Sequence, residues 1–252
     1  MELSESVDYG LALVTAGADM LDVGAVKAGP GELVDEPTER VRLLPLVEAL
    51  GAETAVPLSV ETSRPAVARA AVRAGAAMVN DVSALADPAL AEVCADTGAG
   101  LVLMHNGGQI RGRPRHPRYR DVVESVIEAW AGLAATAVSA GVAEDRLLVD
   151  PGLDFGKTTF HSLELIRRLP ELVAFGRPLL VAPSRKDVVG ETLGAAPEDR
   201  IEGTLAIVAL AVAAGAVVIR VHDVRPAVQT VRMVEAVIGR RPPVSPVRGL
   251  WD

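Results

Sequence analysis

Seven short apolar runs rich in Val, Ile and Leu punctuate this chain, at residues 20–25, 57–62, 78–82, 100–105, 147–151, 178–184 and 217–223. Each has the length of one buried strand and lacks the polar alternation of a half-exposed one, which is the signature of parallel strands covered on both faces. Helical periodicity fills the intervals, over residues 4–16, 37–51, 64–74, 88–97, 120–140, 162–174, 197–214 and 225–239. Ala16-Gly17-Ala18-Asp19, Ala74-Gly75-Ala76-Ala77 and Ala214-Gly215-Ala216-Val217 share one form. It is the form of a helix ended by a left-handed glycine and turned back into a strand. Strict alternation over 252 residues predicts an α/β fold of the TIM (β/α)8 barrel class. A doubly wound open sheet is the alternative.

Eight helices against seven strands leave the first helix without a strand before it. The barrel is therefore expected to lack its first strand, either because that strand lies upstream or because the chain is truncated. The other possibility is an open seam with unpaired edges. No Pro/Gly/Ser-rich linker divides the chain, so residues 1–252 are read as a single domain, and the tail from Arg240 as an extended segment.

A formal charge of −8 without a basic cluster gives no footprint for nucleic acid or an anionic membrane. The longest apolar stretch, residues 205–219, is short of the roughly 18 residues that suggest a membrane span. A lone Cys94 and no signal-peptide pattern predict a cytoplasmic protein. Cys94 itself is read as a small buried apolar residue.

Barrel enzymes build their sites where strands end at the carboxyl side. The residues there are Asp22; Glu61 and Thr62; Asn80 and Asp81; His105 and Asn106; Asp150 and Asp154; Ser184, Arg185 and Lys186; Arg220, His222 and Asp223. Singly, each has a bland reading as a turn cap or a satisfied core residue. Together they form a rim of ionisable groups that is costly without partners or a polar ligand. Other motifs fail on spacing. Gly152 to Thr158 resembles a phosphate loop, but three residues separate its glycines where four are required. Histidines 105, 116, 161 and 222 have no helical pairing and Cys94 no partner, which argues against structural zinc. Residues 109–120, with five arginines, read as a surface loop over the mouth, or more sharply as an anion-gathering lid. Lysine is scarce: Lys27, Lys157 and Lys186 stand against 22 arginines. Lys186 in Ser184-Arg-Lys is thus singled out as a donor to a heterocycle's oxo or ring nitrogen.

At these residues the sequence resembles the dihydropteroate synthases, the pterin-binding barrels of folate biosynthesis. The resemblance rests on Ala18-Asp-Met-Leu-Asp-Val-Gly24, Leu58-Ser-Val-Glu-Thr62, Val79-Asn-Asp-Val82, Val102-Leu-Met-His105, Asp150-Pro-Gly-Leu-Asp-Phe-Gly-Lys-Thr158, Ser184-Arg-Lys186, Glu202-Gly-Thr-Leu-Ala206 and Ile219-Arg-Val-His-Asp-Val224, in order along nearly the whole chain. It implies a transferase that joins 6-hydroxymethyl-7,8-dihydropterin pyrophosphate to 4-aminobenzoate, dissociatively, with pyrophosphate leaving first. It also implies Mg²⁺ with the leaving group, and a homodimer. By the same resemblance, Asp150 binds the amino-pyrimidine edge, Asn80 a neutral ring edge, and Lys186 the oxo group and ring nitrogen. Arg220 and His222 hold the pyrophosphate and Phe155 lines the ring pocket. Glu61, Met104, Ser184 and Asp187 complete the substrate-binding set, and Lys186, Arg220 and His222 are the catalytic candidates.

The chain departs from that pattern in four places. The first-strand Asn that helps bind metal is absent. The Glu-Ser-Thr-Arg-Pro-Gly loop is replaced by Val26-Lys-Ala-Gly-Pro-Gly31. The usual Asp is Glu61, and the Ser after Ser-Arg-Lys is Asp187. These departures resemble the divergent second actinobacterial paralogue and open a second reading, a pterin-binding protein with little or no synthase activity. Methyl transfer from a folate is a third, which Ser184-Arg-Lys186 fits less well. If Asp187 caps the helix that follows, its carboxylate takes the field a substrate carboxylate would use.

Overall fold

The computed structural model describes residues 2–26, 34–108 and 117–248. Its elements run α1 (Leu3–Thr15), β1 (Leu21–Gly24), α2 (Glu36–Glu53), β2 (Leu58–Glu61), α3 (Pro65–Arg73), β3 (Met78–Asp81), α4 (Ala89–Thr97), β4 (Gly100–Met104), α5 (Val122–Ser139) and β5 (Leu147–Asp150). There follow α6 (Thr159–Arg167), α7 (Leu169–Val173), β6 (Leu180–Val181), α8 (Asp187–Leu193), α9 (Ile201–Ala214), β7 (Val218–Ile219) and α10 (Val224–Val237). Strands β1 to β5 pair in sequence order, all parallel. A bridge from Val149 to Leu179 carries the wall on to the parallel β6–β7 pair. Among the described residues no strand lies between β7 and β1, and the ion pair of Arg220 with Asp22 spans that seam.

The three shared helix endings behave as the sequence predicts. Gly17, Gly75 and Gly215 take φ of 104°, 113° and 109°. The amides of Ala18, Ala76 and Ala216 reach back to the carbonyls of Leu13, Ala71 and Ala211, the long bond of a Schellman turn.

Side-chain alternation then decides what the barrel holds. Met78, Val102, Leu148, Leu180, Ala182 and Val218 form one cluster drawn from β3 to β7. Two residues further along the same strands, on the same face, stand Asn80, Met104, Asp150 and Arg220. The aliphatic layer is thus a floor, and the polar residues are the next layer up. Two outer clusters, one around Leu43, Val60 and Leu101 and the other around Trp130, Val149 and Leu172, pack the helices onto the wall. Each fully buried Leu or Val contributes about 1.5–3 kcal/mol by leaving water. Cys94 is 1% exposed in the first of these, and burial pushes its thiol up to about 12.

Several elements differ from the expectation. The helix predicted over 162–174 breaks at Arg168, because Pro170 has no N–H to give and its ring conflicts with the carbonyl four residues back. Helix α8 was absent from the pattern, being only seven residues long and so too short to show a period. Helix α5 is 18 residues long and by length and composition apolar enough to cross a membrane, although Glu124 and Glu128 interrupt its apolar run. Here it buries Val122, Val123, Val126, Trp130, Ala134 and Ala137. Its start is fixed by Asp121, which accepts from the amides of Val123 and Glu124 at 2.8 and 3.1 Å.

Candidate active site at the barrel mouth

At the seam, Asp22 Oδ2 accepts from Asn80 Nδ2 at 3.0 Å and from Arg220 Nε at 2.6 Å, while Arg220 Nη2 donates to Glu61 Oε2 at 3.1 Å. Asp22 Oδ1 is buried and has no hydrogen-bond partner among the described residues. Burial drives Glu61 up to about 7 against the opposing pull of Arg220, and the neighbouring Asp22 charge adds to the rise.

Across the mouth, Asp150 ends β5 only 5% exposed. Its Oδ1 accepts the Gly152 amide at 2.7 Å, and its carbonyl accepts Trp130 Nε1 at 3.2 Å and the His105 amide at 3.0 Å. Burial raises the carboxyl and the Lys186 ammonium opposes that rise. Lys186 itself is lowered, by burial first, with Asp150 and Asp154 resisting. Its Nζ donates to the Leu153 carbonyl at 2.9 Å and stands 5.1 Å from the centre of the Phe155 ring. Met104 is the register partner of Asp150 and is 2% exposed. Asn80 and Arg220 meet on Asp22, and Arg220 is near enough to bear on both Asp150 and Lys186, so the four share one mouth.

The segments after β6 and β7 lock to each other. Ser184 Oγ pairs with His222 Nδ1 at 2.8 Å and accepts the His222 amide at 3.1 Å. Arg185 grips both oxygens of Asp223, at 2.9 and 2.7 Å. The His222 imidazole is lowered by burial and by Arg220. Ser184, expected to touch substrate, has its hydroxyl on His222.

Asp187 does not cap α8. It is the first helical residue, whereas capping requires the residue before, which is Lys186. Asp187 Oδ1 accepts instead from Arg200 Nη1 at 3.2 Å. The Val188 amide goes to Asp154 Oδ2 at 3.1 Å, while Ser162 holds Asp154 Oδ1 at 3.0 Å. The carboxylate that bonds the Val188 amide in the first turn of α8 thus comes from the loop after β5, a contact that local sequence cannot reveal.

Sequence reasoning also missed Lys157, set aside with the failed phosphate loop; its scarcity as a residue type was the available signal. It is 6% exposed, and its Nζ lies against three backbone carbonyls and His105 Nδ1. Asp81 and Asn106 prove structural: Asp81 accepts the amides of Ser83 and Leu85, and Asn106 accepts that of Gly108. The replaced loop after Val26 and most of the arginine-rich 109–120 segment lie outside the described residues. A cavity of about 470 Å³ between α5 and Phe175 lies at the opposite end of the barrel, and its charged members Glu144 and Arg177 pair with each other at 3.1 Å. It holds no convergent chemistry.

A parallel-strand barrel with acid, amide and cation converging at its strand ends above an aliphatic floor has the layout of an α/β barrel enzyme with a polar small-molecule site. The family model described as "Pterin binding enzyme" matches residues 1–222, and the chain belongs to that family. The Mycobacterium tuberculosis H37Rv protein named "Inactive dihydropteroate synthase 2" is 51% identical over 243 residues, covering 94% of this chain and 76% of the relative. Yersinia pestis dihydropteroate synthase, solved with a sulfonamide drug, superposes with a TM-score of 0.91 at 38% identity, over 95% of this chain and 87% of that one. The Xanthomonas albilineans dihydropteroate synthase in complex with 7,8-dihydropteroate gives 0.85 at 40% identity, over 97% and 86%.

Proposed function

We propose that this single-domain chain is a dihydropteroate synthase that joins 6-hydroxymethyl-7,8-dihydropterin pyrophosphate to 4-aminobenzoate and releases pyrophosphate. The observation that carries the reading is the buried Asp150 carboxylate, facing a mouth that also holds Asn80, Lys186 and Arg220. A carboxylate so placed takes two N–H groups of an amino-pyrimidine edge, a strong charge-assisted pair. Asn80 offers both donor and acceptor to the ring edge, Lys186 donates to the oxo group and ring nitrogen, and Phe155 lies along the ring.

In the reaction the pterin methylene C–O bond breaks and its electron pair leaves with pyrophosphate. Arg220 and His222 hold that charge as it develops. The aniline nitrogen then forms the C–N bond to the pterin cation and loses its proton. Glu61, Met104, Ser184 and Asp187 border the bound substrates, with Ser184 acting through His222. Among the described residues no three His, Cys, Asp or Glu are placed to hold a metal ion. Mg²⁺ would arrive with the substrate, on the oxygens of its pyrophosphate.

A second reading, a pterin binder with little synthase activity, is favoured by the contact of Glu61 with Arg220 and by the 51% identical relative. Calorimetry with pterin pyrophosphate, then with 4-aminobenzoate, combined with a turnover assay, separates the two. Binding of both with turnover supports the synthase, pterin binding alone supports the second reading, and failure to bind pterin overturns both. Cytoplasmic location and a homodimer belong to the same proposal. Exposed Leu210, Met233 and Val237 on α9 and α10 support the dimer, and light scattering tests it.

A further inference from the structure

Lys157 has no part in the reaction proposed above, yet it is buried at the heart of the mouth. Its Nζ lies 3.1 Å from the carbonyl oxygen of His105, 3.0 Å from that of Gly152, 2.9 Å from that of Phe155 and 2.8 Å from His105 Nδ1. Carbonyl oxygens only accept, so the nitrogen donates to all three. Burial brings the Lys157 ammonium down to about 7, so it prevails below that pH, where its three N–H groups meet four neighbours; one is shared between a carbonyl and His105 Nδ1, which accepts when the ring is neutral with its proton on Nε2. Burial and the Lys157 charge both lower the His105 imidazole, to about 3, in keeping with a neutral ring.

The loop that supplies two of these carbonyls is not one a chain adopts freely. Gly152, Asp154 and Gly156 take φ of 62°, 69° and 60°, and the turns aim carbonyls inward. A Cβ at Gly152 would strike the His105 carbonyl oxygen and one at Gly156 that of Asn106, so the loop lies directly against the end of β4. Converging carbonyl dipoles repel unless a cation stands among them. Lys186 grips the same loop from its other side, at Leu153.

We propose that Lys157 is a positioning residue, whose ammonium gathers the loop after β5 onto the end of β4 and so presents Phe155 and Asp150 to the pterin ring. The inference rests on the pterin-binding reading, and its test separates the two. Wild type, Lys157→Met and Lys157→Gln are titrated by calorimetry with 6-hydroxymethyl-7,8-dihydropterin below pH 7. The His105 ring tautomer is read by ¹⁵N NMR in the same samples. We expect wild-type His105 to be protonated on Nε2, and Lys157→Met to weaken pterin binding at least tenfold and lose the fixed tautomer. Lys157→Gln, which keeps two N–H donors, should fall between. Wild-type His105 protonated on Nδ1, or pterin affinity within threefold of wild type in a folded variant, overturns the proposal. If Lys157→Met does not fold, the Gln variant and the wild-type tautomer decide. Failure of the wild type to bind pterin brings down the functional reading, whereas binding that is indifferent to Lys157 brings down only this one.

Discussion

Glu61 Oε2 lies 3.1 Å from Arg220 Nη2, so the extra methylene of glutamate lets a β2 carboxylate reach a guanidinium that Asp22 already holds from β1. One cation thus faces two carboxylates, at the place where the proposed reaction would release a diphosphate. An anionic leaving group must compete with both for Arg220, and the loss falls on the transition state, where its charge is greatest.

Shortening that side chain should free the guanidinium. Glu61→Asp is expected to raise kcat/KM for pterin pyrophosphate about tenfold, equivalent to about 1.4 kcal/mol of barrel-mouth stabilisation of the transition state. Steady-state kinetics at fixed 4-aminobenzoate checks this, and an unchanged or lower value would count against the contact as a brake.

The same residue gives a pH dependence with a definite sign. Its carboxyl, raised from 4.5 to about 7 chiefly by burial, binds a proton in the folded chain that it releases on unfolding. Its contribution to stability, about 3 kcal/mol, is therefore complete below pH 4.5 and is lost as pH rises through 7. Asp150, also raised by burial, acts in the same direction. Glu61→Gln should flatten part of this slope and leave the variant more stable than wild type at pH 8. Urea melts across that range decide it; parallel wild-type and variant curves would exclude Glu61 as the source.

Asp150→Asn replaces an acceptor-only group with one that presents a donor to the ring amino group. Pterin affinity should fall at least a hundredfold, about 2.7 kcal/mol. The Gly152 amide can still bond the remaining oxygen, so the fold is expected to persist. Calorimetry on a variant with a native-like melt is the measurement, and retained affinity would remove Asp150 from the binding role.

Asp154 and Asp187 should separate cleanly. Asp154→Asn weakens the bonds from Val188 and Ser162 and is expected to lower stability by about 1 kcal/mol. Asp187→Ser loses a half-exposed pair with Arg200 and should cost less than half as much. Thermal unfolding compares them, and the reverse order would return the helix cap to Asp187. Asp187→Ser is not expected to open the helix field to a 4-aminobenzoate carboxylate, because Asp154 still occupies it.

Strand-like runs, helical periods and glycine turns all lie in local sequence, and they were enough for the barrel and for the strand-end positions of Asp22, Glu61, Asn80, Asp150 and Arg220. Period-two alternation places Asn80, Asp150 and Arg220 above an aliphatic layer whatever their neighbours are. What local pattern could not supply were the partners. Lys157 with His105 is 52 residues apart in sequence, Asp154 with Val188 is 34, and Arg220 with Asp22 is 198. Hydrogen bonds and charge interactions depend on distance in space, and that distance is set only when the wall curves round and brings its two edges together.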